Sequence, residues 1–328
     1  MLRSISSSRE TAPSAVSFLG SPSCEPSEDI ARRDLITGRI ALTSFALLAG
    51  VAGRGYAQAP EPPLVLSLPA SVRQAAMAGA GAALIGDAGS VFSNPAGLAT
   101  IKVLSIEGSF QYYPDQTLQG SASAALRVGP FNLGGGGSYI VFNDSAQVTS
   151  NLMWVGSGVY RFGLIALGAS GKYVSSQDTT GRISRAVTTD LGLALAVFDI
   201  MALGFSVQNI GENRISGDPL LLPTRYRLGF MMNFTDPQTT ARFLGTIETI
   251  WTQDRERRTI FGFEVGAIVR GIGLVARIGH GGQPTDSNQA KTTFGGGILL
   301  GRLGLDYAYQ RRSGLGGEVH RVGIRWTP

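Results

Sequence analysis

From about residue 101 to the C-terminus, apolar residues alternate with polar residues or glycine. A period of two is the mark of a strand whose two faces meet different surroundings. Phe261, Phe263, Val265, Ala267 and Val269 share one face; Gly262, Glu264, Gly266 and Arg270 share the other, with Ile268 as the exception. Leu303, Leu305, Tyr307 and Tyr309 alternate with Gly304, Asp306, Ala308 and Gln310. Met201, Leu203, Phe205 and Val207 alternate with Gly204, Ser206 and Gln208. Tyr226, Leu228, Phe230 and Met232 alternate with Arg227, Gly229 and Asn233, with Met231 breaking the pattern. About fourteen such segments begin near Ile101, Leu118, Phe131, Val148, Phe162, Ile183, Ile200, Thr224, Thr240, Thr259, Ile272, Lys291, Leu303 and Glu318. Turn signals such as Gly129-Pro130, Asn143-Asp144, Asp236-Pro237 and Ser313-Gly314 separate them.

Composition decides which face is apolar for what reason. Only 16% of the 328 residues are charged, against roughly 25% in soluble domains. Yet no stretch after residue 60 approaches the ~18 apolar residues of a transmembrane helix. Hydrophobicity spread over alternate positions of many strands fits an all-β fold, a transmembrane antiparallel β-barrel of about fourteen strands. The glycine runs Gly134–Gly137 and Gly295–Gly297 then mark either close approach to something in the lumen or bends in the wall. The competing arrangement is a soluble sandwich or propeller.

The N-terminal part reads differently. Residues 1–57 are an extension and signal peptide: a Ser/Pro/Glu-rich stretch, then Arg32, Arg33 and Arg39 ahead of the apolar run at 40–51, with a small-residue site ending at Ala57. Residues 58–100 form a compact small-residue segment, and residues 101–328 form the barrel. Cys24 is the only cysteine and lies upstream of that site, so disulfide, thiolate and Cys-zinc chemistry are not expected of the mature chain.

Little else carries chemistry. His280 in a Gly-rich turn and His320 near a strand start lack the partners of a metal site or a Ser-His hydrolase. Gly79-Ala80-Gly81 opens a phosphate-loop-like match that fails at Leu84. No cofactor, no metal and no enzymatic activity are expected. The net charge of +5 comes without a basic stripe, so nucleic acid is not an expected partner. Glu264, Arg270, Arg277, Asp306, Arg321 and Arg325 fall on lumen faces of the last strands, which spares them the ~2–4 kcal/mol cost of an Arg or Lys at mid-bilayer. They read as braces for a plug or as a ligand headgroup site. Asp87 reads as a partner for a wall arginine or as a solvated turn carboxylate. Asn94-Pro95-Ala96 reads as a helix-breaking turn or as an element of the plug, with Asn94 bonding to the barrel wall.

Three sets of residues carry a family resemblance. The first runs from Arg73 through Met77-Ala78-Gly79-Ala80-Gly81 and Gly86-Asp87-Ala88 to Asn94-Pro95-Ala96-Gly97-Leu98. The second comprises Val207-Gln208-Asn209-Ile210-Gly211 and Leu222-Pro223-Thr224-Arg225-Tyr226-Arg227-Leu228-Gly229, and the third His320-Arg321-Val322-Gly323-Ile324. Together they resemble the FadL-like outer-membrane superfamily, and within it the PorV/PorQ-type branch. The resemblance implies a 14-stranded barrel with an N-terminal hatch in its lumen, placed in the outer membrane of a diderm bacterium. It implies gating residues at Asn94, Pro95 and Ala96, with Arg73 and Asp87 in the same hatch. It implies passage of hydrophobic, long-chain fatty acid-like molecules or, in the PorV-like branch, a role in protein secretion or surface attachment. The implied partners are outer-membrane lipid, a hydrophobic small molecule or a secreted protein, and the barrel-assembly machinery during biogenesis.

Overall fold

A computed structural model describes residues 62–114, 116–142, 148–198, 200–211, 220, 222–236, 240–253, 257–282, 290–311 and 317–328. The extension and signal peptide at 1–57, and turn signals such as Asn143-Asp144 and Ser313-Gly314, lie outside the described residues.

The fourteen strands are β1 (Leu104–Tyr112), β2 (Leu118–Val128), β3 (Phe131–Val141), β4 (Val148–Phe162), β5 (Ile165–Asp178), β6 (Ile183–Val197) and β7 (Met201–Ile210), followed by β8 (Arg225–Thr235), β9 (Ala241–Thr252), β10 (Arg258–Val269), β11 (Ile272–Gly281), β12 (Thr292–Leu300), β13 (Leu303–Arg311) and β14 (Glu318–Trp326). Each pairs antiparallel with its neighbours in sequence, and β1 closes the barrel on β14 with Ile106 opposite Trp326. Closure leaves no unpaired sheet edge, which a bilayer interior would not tolerate.

The alternation sets the faces. On β10, Phe261, Phe263 and Val265 point outward and are exposed, while Ile260, Gly262 and Glu264 are buried inside. Met231 breaks the apolar-out pattern because it points inward and is buried among lumen residues. Ile268 keeps the inward parity but lies exposed near the strand end. Outward aromatics gather at the strand ends: Phe131, Tyr160, Phe162, Phe234, Phe243 and Trp326 at one end, Tyr112, Tyr226 and Phe294 at the other. An apolar band edged by aromatic girdles is the outer surface of a membrane-spanning barrel.

The two ends differ. One carries short turns such as 129–130, 163–164, 270–271 and 301–302; the other carries connections up to the fourteen residues of 211–224. In outer-membrane barrels the short turns face the periplasm.

Residues 62–101 form an inner segment that fills the lumen. It contains two short helices, α1 (Leu64–Ser67) and α2 (Val72–Ala76), and two 3-10 turns, η1 (Ala88–Phe92) and η2 (Pro95–Thr100). Its small residues explain its fit: Ala75, Ala76, Ala80, Ala82, Ala88 and Ala96 have essentially no exposed surface. The wall's glycines answer them. A side chain at Gly134 would strike Leu98 and Val91, one at Gly136 would strike Phe92, and one at Gly295 would strike Ala76. These glycines make room for the inner segment, and the register of β3 with β2 and β4 runs past its glycines without a bulge.

Candidate functional site

The inner segment is attached to the wall in two unlike ways. On the side of β8 to β14 the contacts are charged and hydrogen-bonded. On the side of β2 to β6 they are mostly apolar or small.

The charged side centres on Glu264 of β10. Arg73 of α2 meets it with two prongs, Nε to Oε2 at 2.9 Å and Nη2 to Oε1 at 3.1 Å. Arg277 of β11 donates from Nε to Oε2 at 2.7 Å, and Arg242 of β9 pairs with the same carboxylate. Arg73 also pairs with Asp87 in its own segment. Asp87 in turn accepts from Arg325 of β14 at 2.8 Å, and Asp306 of β13 accepts from Arg277 at 2.6 Å. Four guanidiniums and three carboxylates thus form one cluster, of which Arg73 and Asp87 belong to the inner segment. Burial on its own would push the Asp87 carboxyl up, but the neighbouring guanidiniums of Arg73 and Arg325 outweigh it and hold the group well below the usual carboxylate range.

A second anchor lies on β9. Glu248 accepts the backbone N–H groups of Gly81 and Ala82 at 2.6 and 2.7 Å, and Arg227 of β8 pairs with it at 2.6 Å. Arg227 also donates to the Gly79 carbonyl at 2.7 Å. This carboxylate therefore satisfies two amides of a turn that has no helix to satisfy them. On β1, Glu107 accepts the Val72 N–H at the start of α2 at 3.1 Å.

Asn94 joins both attachments. Its Nδ2 donates to the Ala82 carbonyl at 2.6 Å and to the Leu193 carbonyl of β6 at 3.2 Å, while its Oδ1 accepts the Ala96 N–H at 3.0 Å. Pro95 sits at the first position of η2, where its missing N–H costs nothing. Beyond this point Val91, Ala96, Leu98, Ala99 and Ile101 pack against Ala125, Val155, Val159, Ala166 and Ala194 of β2 to β6.

Of the residues singled out in the sequence, Arg73, Asp87, Glu264, Arg277, Asp306 and Arg325 meet in one cluster. Arg321 is buried in the lumen but elsewhere, donating to Gln111 and Gln119 at 2.5 Å each. Arg270 departs from expectation. It lies exposed, with φ of 52°, in the two-residue turn between β10 and β11, because β10 ends one residue before it. His280 lies within β11, exposed, and not in a turn. His320 points outward, where Tyr307 Oη lies 2.7 Å from its Nδ1. Arg242, Glu248 and Glu107 were missed. The available signal was a lone charge on the inward parity of a strand, which Glu107 and Glu248 both show.

Two hollows flank the plugged region. Toward the long-loop end, Phe92, Met153, Lys172, Arg225, Arg227 and Arg258 are among the residues around a space of about 80 Å³. At the short-turn mouth a hollow of about 270 Å³ is lined by Ala99, Arg127, Pro130, Asn132, Arg161 and Gly163. Among the described residues no group of three or more His, Cys, Asp or Glu side chains is placed to hold a metal ion.

No family model matches the sequence, and no curated protein matches it. Solved structures do. The toluene transporter TbuX of Ralstonia pickettii aligns over 78% of this chain and 98% of its own, with a TM-score of 0.56 and 13% identity. The monoaromatic hydrocarbon channel CymD aligns over 79% and 97%, with a TM-score of 0.57 and 12% identity. The Pseudomonas putida toluene transporter TodX aligns over 78% and 96%, with a TM-score of 0.50 and 13% identity. At such identities the finding is a shared fold, which is also the fold that the FadL-like resemblance implies.

Proposed function

We propose that this protein is an outer-membrane channel for hydrophobic small molecules and that its inner segment is a hatch that moves to let them pass. The observation that carries this is the two-sided attachment of the segment. Its α2 region is held by the ion cluster around Glu264, while η1 and η2 rest on β2 to β6 largely through apolar contacts. A displaced η2 would bare an apolar seam, and apolar surface is what a hydrophobic solute needs in place of a water-filled pore. Asn94, with Pro95 and Ala96 behind it, is the latch between the two halves. Arg73 and Asp87 are the fixed end. The resemblance to the FadL-like superfamily and the shared fold with hydrocarbon channels support the same assignment.

The test is uptake of a labelled long-chain fatty acid and of labelled toluene by a Gram-negative host lacking its own transporter. Saturable uptake that Asn94→Ala alters at equal surface expression supports the hatch. No uptake of either probe by a correctly inserted barrel counts against the channel.

One observation favours a second role. The space at the long-loop end, about 80 Å³, is smaller than the ~150 Å³ cavity that accepts benzene. A permanently filled barrel suits a PorV-like factor that holds a secreted or surface-attached protein. Recovery of a stable complex with such a protein, together with absent uptake, would select that role.

A further inference from the structure

We propose that the hollow at the short-turn mouth, between β2 and β4, is an exit subsite for the anionic head of an amphiphilic carboxylate. The proposal rests on the channel assigned above and adds where a passing molecule leaves and which side chains hold its head there.

Arg127 and Arg161 are the next-to-last residues of β2 and β4, on either side of β3, and both are exposed at the mouth. Arg127 lies opposite Asn132 of β3, and Arg161 lies two residues beyond Val159, which faces Asn132 from the other side. Strands two apart in a sheet are separated by about 10 Å, a span that two arginine side chains close easily around one small anion. Each arginine is steadied in the same way. Its Nε donates to a carbonyl two residues on, Arg127 to Gly129 and Arg161 to Gly163, both at 3.1 Å. That bond fixes the planar head and leaves its Nη groups for the fork-like pairing that guanidinium makes with carboxylate. No carboxylate of the protein lines the hollow among the described residues.

The inner segment contributes one small apolar residue to the hollow. Ala99, at the end of η2, belongs to the cluster with Leu98, Ile101, Ala125 and Val159. A head held at the arginines therefore places a hydrocarbon tail along the seam that a moving η2 would bare. Asn132 Nδ2 donates to the Ile101 carbonyl at 2.8 Å, a polar tie that holds the base of η2 beside the hollow.

Two further observations point inward and not to membrane lipid. Arg127 and Arg161, themselves exposed at the mouth, keep the parity of the buried lumen residues Ser123 and Ala125 and of Ser157 and Val159. Their neighbours Leu126, Val128, Tyr160 and Phe162 face the bilayer. The wall here also offers no side door, since β3 pairs residue by residue with both neighbours over its whole length.

The experiment uses the full-length barrel in nanodiscs of zwitterionic lipid. The probes are dodecanoate and dodecanol, each with a photoactivatable diazirine in the tail, and the labelled residues are mapped by mass spectrometry. The proposal expects dodecanoate to label the Leu98–Ile101 stretch, with at least a tenfold loss in the Arg127→Gln/Arg161→Gln variant. The Arg127→Lys/Arg161→Lys variant keeps part of the labelling, and dodecanol labelling is indifferent to both changes. Heat-modifiable gel mobility checks that each variant is folded. Labelling that ignores the head charge or survives the double Gln change overturns the proposal. So does arginine-dependent labelling confined to the bilayer-facing Leu126, Val128 and Phe162, the pattern of a lipid headgroup site. Uptake separates this from the channel assignment. Arginine-dependent labelling without uptake keeps the subsite and removes the channel; uptake without such labelling does the reverse.

Discussion

Arg73 and Glu264 stand 191 positions apart in sequence and meet as a two-pronged ion pair inside the barrel, Nε to Oε2 at 2.9 Å and Nη2 to Oε1 at 3.1 Å. Glu264 is 1% exposed and is shared by Arg73, Arg242 and Arg277. Removing one partner of a buried ion pair typically costs about 3–5 kcal/mol, because the partners left behind stay buried without compensation. Glu264→Gln takes a carboxylate from three guanidiniums at once and leaves Asp87 and Asp306 to balance four. We expect this variant to insert and pair its strands normally but to expose α2. Limited proteolysis of the folded barrel checks it: new cleavage within residues 72–87 is expected, with the strands uncut.

Asp87 gives the cluster a pH signature. Its carboxyl is held below the usual range by Arg73 and Arg325 against the opposing effect of burial. A group depressed in the folded state contributes stability that is fully present above the unfolded value of about 4 and is lost as pH falls below it. Amide exchange in α2 is therefore expected to stay equally protected at pH 7 and pH 5 after correction for intrinsic rates, and to lose protection progressively below pH 4. Asp87→Asn should lower protection at pH 7 and flatten the acid loss.

Asn94 holds three hydrogen bonds, two of them donated to the carbonyls of Ala82 and Leu193. Leaving buried polar groups unpaired costs about 1–3 kcal/mol. Asn94→Ala should raise amide exchange in η2 by about tenfold or more, since each 1.4 kcal/mol is a factor of ten. Asn94→Asp should do more, because its carboxylate would face the Ala82 and Leu193 carbonyls in place of a donor.

The close approach of segment and wall is testable at glycines. A methyl group on Gly204 would overlap the Ala82 carbonyl and the Ala83 backbone, whereas one on Gly171 meets nothing within 4 Å. Gly204→Ala should displace the segment around Ala82 and lower thermal stability by the 1–3 kcal/mol typical of overpacking. Gly171→Ala should leave unfolding unchanged, which thermal melts of the two variants would show.

Much of this was legible in the sequence. The period of two located the strands closely, as Phe131, Ile183, Ile272, Leu303 and Glu318 begin strands where the alternation begins. Parity alone also picked Glu264, Arg277, Asp306 and Arg325 as lumen charges, because a bilayer penalises the other face. What parity cannot supply is a partner. Arg73 and Glu264 are brought together only by barrel closure and strand register, which are non-local. Arg242 was hidden although a strand was expected from Thr240, because Leu244 on its own face and Gly245 on the other blur the alternation of β9. Arg270 erred the other way, since alternation does not show where a strand stops. The pairing of Glu248 with the amides of Gly81 and Ala82 had no local signal at all.

The proposed channel requires the inner segment to move when a hydrophobic molecule crosses. Ala83 and Gly229 allow a direct test, since a Cβ built at Gly229 lies 3.2 Å from that of Ala83, a few tenths of an ångström short of the ~3.5–4.5 Å that a disulfide spans, which a small shift of the segment supplies. In a Cys24→Ser background, Ala83→Cys/Gly229→Cys ties the segment to β8. We expect uptake of labelled toluene or fatty acid to fall to the level of cells without the barrel when the pair is oxidised, and to return on reduction. Equal uptake in the oxidised and reduced states, with the disulfide verified, would show that molecules cross without movement of the segment.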